Sequence, residues 1–239
     1  MWLKNFLRIL LVLILLGSIL MVYVYIPGKD TETNLMLGTH HVLVLAADPS
    51  EPRPGMGAID MAFVVTVVDG DIKNMTAVYP GGMAHPTVAA PAEVQAQGVQ
   101  VLLLHDSFWW NDTAKDAKLA QEIVEYNTGL KSDAVVVFTP DAVDAMIASV
   151  GGVYVEGMGT LNGSSSIEFL RDEQALGSSR GGSVESLMKP LWAAYQDPTK
   201  KVALMEAVAT QYLKGNIVVE PEELFVQFAL ANGITKVFT

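Results

Sequence analysis

The chain has 239 residues, with 15 basic and 26 acidic side chains and a formal net charge of −11. That balance excludes a basic nucleic-acid-binding face, because such a face works by neutralising phosphates. A hydrophobic fraction of 51% with only 17% charged residues excludes a disordered chain, and the absence of cysteine excludes a disulfide framework, a thiolate metal site and a cysteine nucleophile.

Residues 9–26 read ILLVLILLGSILMVYVYI and carry no charge. As a helix at 1.5 Å per residue this run covers roughly 27 Å, close to the hydrocarbon core of a bilayer. Lys4 and Arg8 precede it, Tyr23 and Tyr25 close it, and Pro27-Gly28 ends it. The pattern predicts a single-pass transmembrane helix with residues 1–8 as a cytoplasmic tail and everything after Pro27 outside the cell. The rival reading is a cleaved signal peptide. Against it stand the length of the run and the missing small-residue cleavage site. The predicted exterior part is acidic, and anionic lipid would repel it. It holds three sequons, at Asn74, Asn111 and Asn162, consistent with this topology.

Residues 27–39 are polar and suit a stalk, and residues 40–239 read as one exterior domain. His41 to Ala47 is an apolar strand run. Met61 to Val68 and Ile72 to Tyr79 flank Asp69-Gly70, a two-residue hairpin signal. Val101 to Leu104 is a short apolar run. A helix is predicted from Thr113 as N-cap to Gly129, with Leu119, Ile123 and Tyr126 on one face beside Ala120 and Val124. Ala134 to Phe138 reads as a buried strand. Thr139-Pro140 then opens a helix with a stripe of Val143, Met146, Ile147 and Val150, and Gly151-Gly152 stops it. Val153 to Val155 and Ile217 to Val219 are strand-like. Helices fit Val184 to Tyr195, with Pro190 inside, Lys201 to Leu213, and Pro221 to Ala231. Alternating strands and helices predict an α/β domain with a central mixed β-sheet flanked by helices.

Residues 51–57, Glu-Pro-Arg-Pro-Gly-Met-Gly, resemble the E-x-R-P-x-G-G signature of an uncharacterised surface-domain family, domain of unknown function four-zero-one-two. That family is similar to the LytR–CpsA–Psr phosphotransferases of bacterial envelopes. The resemblance spans roughly residues 40–236. Val42 to Asp48 resembles the opening strand of those enzymes, which ends in Asp. Asp60 sits where they have Arg-x-Asp-Thr, and Tyr79-Pro80-Gly81 where they have Pro-Arg. Ala120 to Gly152 resembles their helix–Gly–strand–helix–Gly-Gly segment. Ile167 to Arg171 resembles their Tyr-Val-Arg strand, and Arg180 the arginine of the following Gly-Arg motif.

The resemblance implies a single LytR–CpsA–Psr-like domain behind a membrane anchor, and an archaeal surface protein. It implies Mg²⁺ on Asp48 and Asp60, with Arg171 and Arg180 clamping a pyrophosphate beside Asp60. Arg53, Gly81 and Gly82 would support the phosphate. The implied partners are the membrane, a polyprenyl-phosphate glycan and a wall polymer. Those demands make physical sense: Mg²⁺ takes oxygen ligands, guanidinium groups grip phosphates bidentately, and transfer proceeds by positioning and charge neutralisation. Ala58, Gly81 and Ser183 stand where the enzymes have arginines. A non-catalytic binding or scaffold module of the same fold is therefore the alternative, and a subunit of a larger membrane complex is a third.

Asp48, ahead of Pro49, could also cap a turn. Asp60 heads an apolar strand, where a carboxylate needs a partner. Arg171 precedes Asp172 and Glu173, so an ion pair competes with a clamp. Arg180 falls in Ser178-Ser179-Arg180-Gly181-Gly182, read as a donor-rich loop. His85 and His105 could ligate metal or act as bases, but match no zinc spacing, so structural roles are the default. Phe108-Trp109-Trp110 reads as packing, with sugar stacking or a lipid slot as the alternative. No nucleophile elbow and no HExxH motif is present.

Overall fold

The computed structural model describes residues 35, 37–155, 159–164 and 180–231. The predicted transmembrane run and the Ile167 to Arg171 strand lie outside these residues. Among the described residues, no helix is long and apolar enough to cross a membrane.

Five strands form the central sheet: β1 (Thr39–Asp48), β2 (Ala58–Val68), β3 (Asp71–Val78), β6 (Ala134–Phe138) and β9 (Ile217–Glu220), in the order β3-β2-β1-β6-β9. β1 and β6 are parallel, with Leu43 opposite Val135 and Leu45 opposite Val137, while the other pairs are antiparallel. The sheet is therefore mixed, as the alternation of strands and helices predicts. Asp69 and Gly70 both take positive φ, 50° and 83°, as a type I′ hairpin requires. Asp69 Oδ1 also accepts the Gly38 amide at 2.8 Å, which ties the hairpin to the start of β1.

Helix α2 (Thr113–Thr128) covers one face of the sheet. There Leu119, Ala120, Ile123 and Val124 meet Leu43, Leu45, Val135 and Val137, together with Leu102, Leu104 and Phe108. Ile123 is fully buried, so Ile123→Ala should cost about 2–5 kcal/mol. The opposite face carries Val42, Phe63, Val65 and Ala134 against Leu224 of α6 (Glu222–Ala231). A further cluster joins α3 (Pro140–Ser149), β7 (Val153–Val155), α4 (Arg180–Gln196) and α5 (Pro198–Leu213) through Val143, Ile147, Leu187, Leu191 and Leu204. Tyr212 of α5 stacks on Phe225 of α6 at 3.6 Å between centroids.

The pairing of β1 with β2 is broken at one point. Ala46 pairs with Met61 and Ala47 with Ile59, so Asp60 is an extra residue opposite a continuous partner strand. A strand alternates faces with period two, and one inserted residue inverts the phase. Ile59 accordingly shares the α2-side core with Ala62 and Val64, while Met61 turns to the other face with Phe63. The bulge lets both halves of β2 bury their apolar residues and leaves Asp60 half-exposed at the sheet's edge.

Several expectations are corrected. Asp112, not Thr113, caps α2, its Oδ1 accepting the Lys115 amide at 3.1 Å. Tyr126 is 67% exposed, because it lies beyond the edge of the buried stripe. Arg180 opens α4 rather than lying in a loop. The strand β4 (Ala84–Ala89), the one-turn helix α1 (Ala92–Gln95) and β8 (Gly159–Leu161) have no counterpart among the elements predicted from sequence. β4 contains Pro86 and pairs with β5 (Val101–Leu103) only at Ala84–Leu103 and Ala89–Val101, an irregular ladder with no clean alternation.

Candidate functional site

β1 ends at Asp48 and β2 begins at Ala58, so residues 49–57 arch over the carboxyl edge of the parallel pair β1 and β6. In open α/β sheets that edge is where ligands bind. The arch is the Glu-Pro-Arg-Pro-Gly-Met-Gly stretch, and its geometry explains its composition. Gly55 donates to Trp109 O at 2.8 Å, and a Cβ there would lie 2.4 Å from the carbonyl oxygens of Phe108 and Trp110. Gly57 has φ +110°, and a Cβ there would lie 2.5 Å from Asp48 O. Both positions demand glycine, Gly55 for contact and Gly57 for contact and conformation.

Held by those two glycines, the arch faces the short 3₁₀ turn Leu104–Asp106 that comes after β5. Arg53 Nε donates to Asp106 Oδ1 at 2.8 Å, and Arg53 Nη2 lies 3.4 Å from His105 Nδ1 and 3.8 Å from Glu51 Oε2. The guanidinium also sits 5.4 Å from the centroid of the Trp109 ring. On the far side of the imidazole, Nε2 is 3.5 Å from Glu51 Oε2 and 3.7 Å from Asp60 Oδ1. The donor atoms of Glu51, Asp60 and His105 all lie within 4.8 Å of one another.

Three carboxylates and one guanidinium surround this imidazole. The Asp106 carboxylate, 3.6 Å from Nδ1, raises the His105 pKa above 6.5, against the opposing effect of burial. For Asp106, burial favours protonation. The nearby His105 imidazole, the hydrogen bond from Arg53 and the charges of both outweigh it and hold the carboxyl below its usual range. The pair is thus built to keep a charged carboxylate in a nearly buried position.

The sequence-predicted residues distribute unevenly. Asp60 and Arg53 belong to the constellation. Asp48 is buried at the foot of the arch, its Oδ1 accepting the Ser50 amide at 2.8 Å, which caps the turn. It is not one of the three converging donors. Gly81 and Gly82 form an exposed turn after β3, with no atom within 4 Å of a Cβ at either. Asp60, Met61, Tyr79 and Pro80 line a small depression beside that turn. Arg171 lies outside the described residues. Arg180 begins α4, and its side chain is not among those described.

His85 is structural. Its Nδ1 accepts the amides of Thr87 and Val88 at 3.1 and 3.0 Å, so Nε2 carries the proton and donates to Glu122 Oε2 at 3.0 Å. The aromatic run splits in two: Phe108 is core, Trp110 packs against that core, and Trp109 faces Arg53. Glu51 escapes a sequence reading, and His105, a candidate ligand by residue type alone, shows no sign there of its partners, because the three meet across separate segments. The one available signal is the charged pair inside an otherwise Pro-Gly arch.

The family model described as protein of unknown function (DUF4012) matches residues 38–174. The chain belongs to the DUF4012 family. The arch, Asp60, His105 and Asp106 all fall within the DUF4012 segment, and β9 lies beyond it. No curated protein sequence matches the chain. Among solved structures, it is similar to the gbs0355 protein of Streptococcus agalactiae at 14% identity and TM-score 0.55, covering 82% of this chain and 73% of that one. B. subtilis TagV is similar at 15% identity and TM-score 0.50, covering 84% and 81%. The Lin1025 protein of Listeria innocua is similar at 14% identity and TM-score 0.50, covering 84% and 79%. Of these, gbs0355 and TagV are LytR–CpsA–Psr family proteins, and the DUF4012 chain shares their fold.

Proposed function

We propose that this DUF4012 protein is a membrane-anchored envelope protein whose exterior domain binds a phosphorylated or polyprenyl-pyrophosphate-linked glycan related to a surface polymer. The observation that carries the reading is the gathering of Glu51, Arg53, Asp60 and His105 at the carboxyl edge of β1 in a LytR–CpsA–Psr-like fold. The apolar run at residues 9–26 supports the anchor. Trp109, beside Arg53, offers an aromatic face of the kind sugars stack on.

Transfer of the glycan asks for more than binding. It requires cations to balance the pyrophosphate, with Arg171 and Arg180 as the remaining guanidinium candidates. Arg53 already donates to Asp106 and, through Nη1, to the carbonyls of Glu51 and Pro52. That engagement favours the second reading, a binding or scaffold module without the transfer reaction.

Mass spectrometry of lipids copurified with the full-length chain in mild detergent tests the proposal. A polyprenyl phosphate or pyrophosphate glycan in the unmutated sample, lost on Asp60→Ala with Arg171→Ala, is expected. Bulk membrane lipid alone, unchanged by the substitutions, would overturn it.

A further inference from the structure

The three groups that converge on the edge form an unusual donor set for an oxygen-seeking ion. Mg²⁺ takes carboxylates and water in near-octahedral geometry, whereas imidazole with carboxylate suits zinc and its neighbours. Here one nitrogen and two carboxylates converge, and Asp48 Oδ1 is engaged in its own turn. We propose that Glu51, Asp60 and His105 bind one transition-metal dication of the zinc class, through carboxylate oxygens and His105 Nε2.

The spacing supports this. Metal–ligand bonds of about 2.0–2.1 Å at a tetrahedral angle put neighbouring donors roughly 3.3–3.4 Å apart. The two spacings from Nε2, 3.5 and 3.7 Å, exceed that by only a few tenths. Each donor comes from a different segment: the arch, the bulge in β2 and the 3₁₀ turn after β5. Asp60 reaches the group because the bulge takes it out of the sheet's alternation.

What stands behind the imidazole points the same way. A metal on Nε2 leaves the ring proton on Nδ1, where Asp106 Oδ1 stands at 3.6 Å, just beyond hydrogen-bond reach, and Arg53 Nη2, itself a donor, at 3.4 Å, so the ring turns towards Asp106 as the metal binds. Histidines that ligate metals ordinarily have such a carboxylate behind them, fixing the tautomer and the ring's orientation. Asp106 is in turn fixed by Arg53 at 2.8 Å, and Arg53 by the arch carbonyls. The support thus extends two residues behind the ligand, while Glu51, Asp60 and His105 remain half-open to solvent.

Three protein donors leave a coordination position for water or an anion, as in zinc sites that act on ligands rather than only hold a fold. Without the ion, three carboxylates outnumber Arg53 and His105 at this edge, and a bound dication strengthens its hold on phosphate. With it, the edge becomes neutral and gains a Lewis-acidic centre. The inference deepens the proposed binding of a phosphorylated glycan. Metal affinity is measured with no glycan present, so either idea can fail alone.

The test is equilibrium dialysis of chelator-stripped full-length chain against micromolar Zn²⁺ in millimolar Mg²⁺, with bound metal counted by mass spectrometry. One Zn²⁺ per chain is expected. His105→Ala should lower affinity by about 100-fold or more, and Asp106→Asn by about 10–100-fold through the ring it orients. Zn²⁺ retention equal in His105→Ala, or Mg²⁺ held in preference to Zn²⁺, would overturn the site. Cobalt(II) on the unmutated chain gives a readout independent of any variant's folding. Strong visible absorption from a low-coordinate nitrogen- and oxygen-ligated ion supports the site, and the spectrum of aqueous cobalt refutes it.

Discussion

Arg53 and Asp106 are 53 residues apart in sequence and meet at 2.8 Å, joining the arch over β1 to the turn after β5. Asp106 is nearly buried, and Arg53 is its closest cationic partner among the ion pairs of the described residues. Removing the guanidinium would strand a carboxylate where water cannot compensate it. Arg53→Ala is expected to destabilise the fold by about 2–4 kcal/mol, read as the urea midpoint. Arg53→Lys should recover only part of that, because an ammonium cannot donate to Asp106 and the arch carbonyls in the same fork. Full recovery by lysine would show that only the charge matters.

The arch glycines give a sharp contrast. Gly57→Ala forces a Cβ to within 2.5 Å of Asp48 O at a φ of +110°, and should cost about 2–3 kcal/mol or more. Gly81→Ala meets nothing within 4 Å and should leave stability within about 0.5 kcal/mol of the parent. Equal denaturation midpoints for the two variants would refute the close approach of the arch to β1.

Asp116 predicts a pH dependence. It is fully buried in the first turn of α2, Oδ2 accepting the Trp110 amide at 3.0 Å and Oδ1 finding no partner. Burial pushes its pKa up from 3.8 to about 7. The folded state therefore holds a proton that the unfolded state releases above about pH 4. Its contribution favours folding less and less as pH rises from about 4 to 7, and then levels off. Asp116→Asn keeps an acceptor for Trp110 and removes the titration. Its stability, read from the urea midpoint, is expected to exceed the parent's at pH 8 by an amount on the order of 4 kcal/mol, and to converge with it near pH 4. A constant offset at both pH values would assign the effect to packing.

His85 offers a control for the metal proposal. His85→Ala removes the acceptor for two backbone amides and the partner of Glu122. A loss of about 1–3 kcal/mol is expected, with Zn²⁺ affinity unchanged. A matching loss of metal would place the ion at His85 instead.

Much of this protein could be read from its sequence, because periodicity is a local property. Leu119, Ile123 and Val124 announce their helix face, Val135 and Val137 their strand, and Asp69-Gly70 its turn. The family signature was legible as a string as well. Its reason was not. Gly55 is glycine because of the carbonyls of Phe108 and Trp110, and Gly57 because of Asp48 O, and no local pattern records those contacts.

The same limit governs the site. The sequence by itself put Asp60 at the head of an apolar strand and marked every strand of the central sheet, though not β4, α1 or β8. Only the tertiary structure decided that Asp60 lies in a bulge and shares one cluster with Glu51 and His105. Only it decided that Asp48 is tied into a turn and that His85 is a structural pin. The physical reason is range. Burying alternate residues of a strand costs or gains free energy within a few residues, so it writes a pattern into the sequence. Bringing Glu51, Asp60 and His105 together depends on how the sheet pairs and how the arch folds over its edge, which no one segment encodes.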